Sequence, residues 1–179
     1  LADPDCDRYI EELCRYHVSG TLKVAPEHIS PEVLKCMRKP DKDVFLKFSE
    51  KYKKTNEKNG KKQYLIPYLI SSHPGSGLKE AVELALFLKD YGFVPDQVQD
   101  FYPTPGTLST CMYHTELDPL TMEPVYVAKD MEEKKMQRAL IHFNKPENRK
   151  LAEKALARAG RADLIPVLFS HLHYTKRKK

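Results

Sequence analysis

Apolar residues along the chain repeat at two spacings, and the points where one gives way to the other mark its elements. Within residues 5–16, Tyr9, Ile10 and Leu13 share a helical face, and the segment closes near Gly20. A first strand follows at 21–25. Ser30-Pro31-Glu32 then starts a helix, a hydroxyl cap followed by Pro at the first helical position. Its stripe is Val33, Leu34 and Met37, and Pro40 breaks it. Asp41 caps a second helix carrying Val44, Phe45, Phe48 and Tyr52. A polar loop at 56–62 leads to a second strand at 64–70, where Pro67 cannot donate to a ladder and marks a bulge or an edge. The clearest helix covers 77–91, with Leu78, Ala81, Val82, Ala85 and Leu86 on one face and Gly92 at its end. A third strand spans about 97–102.

The order β-α-β-α-β with helical crossovers predicts an α/β fold with a parallel sheet and right-handed connections. Beyond Thr107 the pattern changes. Residues 112–128 contain an Asp118-Pro119 turn and a β-like Pro124-Val125-Tyr126-Val127, which reads as an irregular hairpin. Two helices follow, one at 130–143 with Met136, Ala139, Leu140 and Phe143. The other, at 146–159, carries Leu151, Ala152, Ala155 and Leu156 and ends at Gly160. Three strands are few for such a sheet, and the first would leave an apolar edge unpaired. With Leu1 where an initiator Met would stand, the chain is expected to be part of a longer parent that supplies earlier strands.

Hydrophobic residues at 41% and charged residues at 31% suit a globular protein of one core plus an appendage. No apolar run reaches the roughly 20 residues of a membrane span, and no signal-peptide pattern is present, so a cytoplasmic protein without a membrane partner is expected. The gaps between Cys6, Cys14, Cys36 and Cys111 are 8, 22 and 75 residues. None matches a zinc site or a compact iron–sulfur loop, so free thiols are expected and no metal ligands are assigned. The net charge of +5 gathers at Lys51, Lys53, Lys54, Lys58, Lys61 and Lys62 and in a basic tail ending Lys176-Arg177-Lys178-Lys179. Such a surplus reads as solvated surface, with nucleic acid as the alternative partner.

Three segments share an apolar run that ends in a polar, turn-forming loop. They are Leu22-Lys23-Val24-Ala25-Pro26-Glu27-His28, Leu69-Ile70-Ser71-Ser72-His73-Pro74-Gly75 and Val98-Gln99-Asp100-Phe101-Tyr102-Pro103-Thr104-Pro105-Gly106-Thr107. In α/β proteins, ligands sit outside the carboxyl ends of parallel strands, so the three loops should line one mouth. Glu27 and His28 can act as acid and base or hold a ribose hydroxyl; equally, they can cap the helix that follows. The small residues of 71–77 precede a helix N-terminus and suit an anion or a close-packed cofactor, or simply a Pro-Gly turn. In the third loop two prolines fix the backbone. Glu27 and Ser72 are expected in loops outside the core, where substitution leaves the fold intact. His171-x-His173 is too sparse for a metal site, and His17, His114 and His142 read as surface or packing residues.

At these loops the chain resembles the C-terminal half of the radical SAM barrel of the tRNA methylthiotransferases. Val33-Leu34-Lys35-Cys36-Met37-Arg38 is similar to their post-loop helix, Ser72-His73-Pro74-Gly75-Ser76-Gly77 to their Gly-Phe-Pro-Gly-Glu-Thr loop, and Pro103-Thr104-Pro105-Gly106-Thr107 to their final loop. The wording of the three segments more closely resembles the uncharacterised YgiQ-type radical SAM family, and residues 112–164 resemble that family's C-terminal domain. The resemblance implies a partial (βα) barrel over 1–111, a hairpin and two helices over 112–165, and a basic tail over 166–179. It implies the C-terminal part of an enzyme that reductively cleaves S-adenosylmethionine at a 4Fe-4S cluster. The substrate and catalytic residues stay unassigned. The family's Cys-x-x-x-Cys-x-x-Cys motif is not in this chain, so the chain alone is expected to hold neither cofactor and to be inactive without the N-terminal remainder of its parent. By position the resemblance puts Glu27 and His28 near ribose and methionine, Ser72, His73 and Gly75 on the neighbouring strand end, and Tyr102 and Thr104 near adenine. The family's Glu is Ser76 here, and after Ile165 the likeness ends. A nucleic-acid or protein binding module and a non-radical barrel fragment for a phosphate-bearing substrate are the rival readings.

Overall fold

The structure, a computed structural model, describes residues 4–170; His171, His173 and the Lys176-to-Lys179 tail lie outside the described residues. Helix α1 (Cys6–Glu12) runs on into a π-helical turn, Leu13–His17. Then come β1 (Thr21–Glu27), α2 (Pro31–Met37), α3 (Lys42–Lys58), β2 (Tyr64–Ser71), α4 (Leu78–Tyr91) and β3 (Gln99–Asp100). The rest is helical: α5 (Leu108–Thr115), α6 (Met131–Ile141), α7 (Arg149–Arg158) and α8 (Ile165–Phe169). The sheet is parallel throughout, in the order β1-β2-β3, as the alternation of strands and helices predicts. The protein is thus an α/β fold, a partial βα unit followed by a helical C-terminal region.

Local signals start and stop several elements where the sequence places them. Pro31 opens α2, and the Asp41 carboxylate accepts the Asp43 N–H at 3.0 Å to cap α3. Gly92 ends α4 at φ 71°, the left-handed conformation in which glycine carries no Cβ penalty. Pro67 lies on the central strand rather than at a sheet edge, and its accommodation is a bulge in the facing strand, between Val24 and Glu27, where Pro26 sits. The ladder to β3 begins only at Ile70, beyond Pro67, so the missing N–H interrupts no hydrogen bond there.

Three expectations are corrected. The third strand is two residues long, not six. It lies between Pro95 and Pro103, and only the Phe101 N–H, donating to the Ser71 carbonyl at 2.8 Å, prolongs its pairing. The hairpin expected from 112 gives way to α5, because Thr107 caps a helix there by accepting the Thr110 N–H at 3.2 Å, and Met112 buries its face. A single antiparallel bridge, Leu117 to Pro124, is what the described residues keep of the hairpin. Finally, the tail expected from 166 begins as helix α8, with Leu168 fully buried. Leu164 and Leu168, one helical turn apart, fill the core beside α4 and α7.

One apolar cluster joins Leu69 of β2, the inner face of α4 (Ala81, Leu84, Ala85, Leu88), α6 (Met136, Leu140), Phe143, α7 (Ala155, Leu156) and Leu168. The helical C-terminal region therefore shares a core with the α4 side of the sheet. A smaller cluster of Ile10, Cys14 and Tyr52 ties α1 to α3. On the opposite face of the sheet Thr21, Lys23, Ala25, Tyr64 and Tyr68 are exposed. The Lys23 ammonium lies 5.4 Å from the Tyr68 ring centroid there. No described helix is long and apolar enough to cross a membrane.

Candidate functional site

Each of the first two strands ends on a residue with left-handed backbone, Glu27 at φ 64° and Ser72 at φ 59°. Non-glycine residues rarely adopt this conformation. It turns both chains sharply over the carboxyl end of the sheet. Glu27 reaches sideways, its carboxylate 3.5 Å from the Lys39 ammonium, which also donates to the Ala25 carbonyl at 2.7 Å. His28 is buried, and its Nδ1 accepts the Ser30 N–H at 3.0 Å at the start of α2. Burial, and then the neighbouring His73, push the His28 ring down to about 3, so it is neutral.

His73 is where the loops meet. Its Nδ1 contacts the Pro74 carbonyl oxygen at 2.8 Å; a carbonyl only accepts, so Nδ1 carries the proton. Nε2 is then the acceptor for the Ser109 hydroxyl at 2.8 Å. The ring stands edge-on to Phe101 at 5.0 Å, and burial lowers its pKa as well. His73 of the second loop thus meets the half-buried Phe101 of the third and Ser109 of α5, with the buried His28 of the first loop near enough to feel its charge.

The second loop is held from the C-terminal region by a side chain absent from the sequence-derived set. Gln137 on α6 is fully buried. Its Oε1 accepts the Ser72 N–H at 3.1 Å and the Ser76 hydroxyl at 2.9 Å, and its Nε2 donates to the Ser76 carbonyl at 2.8 Å. Nε2 also approaches Glu133 Oε1 at 3.4 Å, and the Tyr126 hydroxyl donates to Glu133 Oε2 at 2.7 Å. Nearby, the Ser71 hydroxyl donates to Asp100, which pairs with Arg138 of α6.

Of the seven residues expected at the site, His28, Ser72 and His73 are buried at the strand ends. Ser72 is not the exposed loop residue expected: it is 1% exposed, and its Oγ is buried without a hydrogen-bond partner among the described residues. Leucine there would force a larger side chain into a buried position next to the Gln137 contact and should destabilise the fold. Gly75 sits at φ 90° with its N–H donating to the Tyr126 carbonyl at 2.8 Å, and a Cβ would lie 2.9 Å from Cys36 Sγ. It faces a different space, a cavity of about 700 Å³ shared with Cys36, Lys79, Glu80 and Tyr126. Tyr102 and Thr104 lie on the outside, Tyr102 77% exposed. The Thr104 carbonyl accepts the Thr107 and Thr110 hydroxyls at 3.0 and 2.6 Å, which fixes this loop to the start of α5. Gln137 could have been found as a polar residue beside Met136 on the α6 stripe; nothing local marks Ser109.

The buried histidines set an acid limit. A His whose folded pKa lies below its unfolded value takes up a proton more readily in the unfolded chain, so stability is full above the unfolded pKa and falls as pH drops. For His28 the window runs from the ordinary value of 6.5 down to about 3. One such group costs roughly 1.4 kcal/mol per pH unit across that window. The melting temperature should fall steadily between pH 7 and pH 4, and His28→Asn should flatten that fall; an unchanged slope would show that His28 is not buried neutral.

Comparison with known proteins places these elements. Residues 96–178 match the model of a domain of unknown function, DUF3362. A UPF0313 protein of Clostridium perfringens (strain SM101) is 57% identical over 165 residues, 92% of this chain and 25% of that protein. A UPF0313 protein of Clostridium botulinum (strain 657) is 56% identical over 159 residues, 89% of this chain and 25% of its own length. UPF0313 is the YgiQ-type family that the three loops resemble. The chain spans about a quarter of the length of the curated relatives it matches.

Proposed function

We propose that this chain is the part of a radical SAM enzyme that completes its parallel βα barrel, with the strand-end loops facing the nucleoside and methionine groups of S-adenosylmethionine. The observation that carries this reading is the meeting of the second and third loops at His73, with the buried His28 of the first loop near enough to feel its charge, at the carboxyl ends of three parallel strands. The bare sheet face and a β1 that, among the described residues, pairs on one side only suit a barrel whose remaining strands come from elsewhere in a longer protein.

The chain's own residues do not fit an iron–sulfur cluster. Cys6, Cys14, Cys36 and Cys111 belong to four different helical segments, and the described residues hold no group of three metal-ligating side chains. On this reading the cluster is held by residues outside this chain. The strand ends do fit a nucleoside. Ser72 offers a buried hydroxyl with no partner among the described residues, and the left-handed turns at Glu27 and Ser72 bring backbone groups to the sheet's end. S-adenosylmethionine supplies, when bound, the sulfonium bond that is reductively cleaved. His28 and His73 are both neutral, so neither sets a positive charge beside a sulfonium, and Gln137 and Ser109 hold their loops in place. The substrate stays unnamed. Anaerobic reconstitution with iron and sulfide tests the reading: this chain alone should take up no cluster, while the longer protein should bind about four irons and cleave S-adenosylmethionine. Absence of cleavage by the cluster-loaded longer protein would overturn it.

A further inference from the structure

A second cavity lies beside Arg138, the partner of Asp100. It measures about 540 Å³ and is lined by Tyr68 from β2, Gln97 and Gln99 at the start of β3, and Arg138, His142 and Lys145 from α6 and the turn after it. Its walls come from both parts of the fold, so it exists only because the helical region packs against the sheet.

The wall chemistry is specific. His142 is 6% exposed, its ring lies by the Pro95 carbonyl, and its Nδ1 is buried with no partner among the described residues. Burial first, and then the nearby Lys145 ammonium, lower its pKa, so the ring is neutral and Nδ1 presents a lone pair. A buried acceptor left without a donor costs free energy that a ligand hydroxyl would recover. Gln97, just before β3, and Gln99 at its start both line the cavity, and each amide has a donor and an acceptor. Tyr68 is 41% exposed on the bare sheet face and offers a ring for stacking. Arg138 is committed to Asp100, which leaves the Lys145 ammonium to meet an anion, with Glu147 at the rim. The volume falls in the roughly 300–1,000 Å³ range of small-molecule sites.

We propose that this cavity binds a mononucleotide-like phosphate ester, with its phosphate on Lys145, its ring on Tyr68, its base edge against Gln97 and Gln99, and a ribose hydroxyl donating to His142 Nδ1. The assignment is independent of S-adenosylmethionine, since it uses none of the strand-end residues.

Nuclear magnetic resonance titration of the chain with AMP, ribose 5-phosphate and inorganic phosphate separates the contributions. AMP should shift the Gln97 and Gln99 side-chain amides and the His142 Nδ1 resonance saturably, ribose 5-phosphate more weakly, and inorganic phosphate weakest. Tyr68→Ala should weaken AMP about tenfold, the worth of one stacked base, and leave ribose 5-phosphate unchanged. Lys145→Gln should weaken both esters. Both side chains are at least partly exposed, and an unchanged melting temperature establishes that each variant folds. No saturable shift at millimolar ligand, or AMP binding unaffected by both substitutions, would overturn the proposal.

Discussion

Gln137→Leu is expected to destabilise the protein more than any other single change at the strand ends. The amide makes three close hydrogen bonds to the Ser72–Ser76 loop and a longer one to Glu133. Leucine keeps the volume but strands the Ser72 N–H, the Ser76 hydroxyl and the Ser76 carbonyl in a buried place. Each unsatisfied group costs about 1–3 kcal/mol, and partial relaxation leaves a net loss of roughly 3–5 kcal/mol. For a chain of this size that lowers the melting temperature by roughly 6–20 °C. Gln137→Glu should be no better, because it buries a carboxylate against Glu133. Amide hydrogen exchange at Ser72 should accelerate in both variants, relative to amides in α4. A melting temperature within a degree or two of the parent would show that the helical region does not hold this loop.

Leu168→Ala is the second large effect. Leu168 is fully buried in the cluster that includes Leu84, Leu88 and Leu156. A buried leucine truncated to alanine loses transfer free energy and leaves a cavity, at a cost of about 2–5 kcal/mol. The exposed Val167 beside it provides the control: Val167→Ala should cost well under 1 kcal/mol. Chemical denaturation compares the two midpoints. Equal, small effects would mean that the chain after Ile165 is an appendage, as its sequence alone suggests, and not part of the core.

These two residues also mark where the sequence is legible and where it is not. The stripe of Leu78, Ala81, Val82 and Ala85, the cap at Asp41 and the breaks at Pro40 and Gly92 are local signals, and they place α2, α3 and α4 closely. The parallel order follows from the alternation of elements. What fails depends on distant partners. Leu168 reads as tail because one turn of helix has too few positions to show a period, and its value lies in the gap it fills beside α4. The shortness of β3 comes from flanking prolines, and α5 from a threonine cap that an adjacent turn signal obscures. At the strand ends, Glu27, His28, Ser72 and His73 are visible as loop chemistry, but the burial of the last three is not. Gln137 lies 65 residues from Ser72, a pairing that no local pattern reports.

Glu27 tests the strand-end loops as a cofactor site with the least disturbance to the fold. Its carboxylate is partly exposed, and its described partner is an ion pair at 3.5 Å, a contact worth at most about 1 kcal/mol to stability. The measurement is the equilibrium affinity for S-adenosylmethionine of Glu27→Ala, in the cluster-loaded protein that carries this chain behind the N-terminal region of its relatives. A lost hydrogen-bond acceptor to a buried ligand is worth about 1–3 kcal/mol, so affinity should fall by roughly tenfold to a hundredfold while the melting temperature moves little. Unchanged affinity in a folded Glu27→Ala variant would contradict the placement of the first loop at the cofactor.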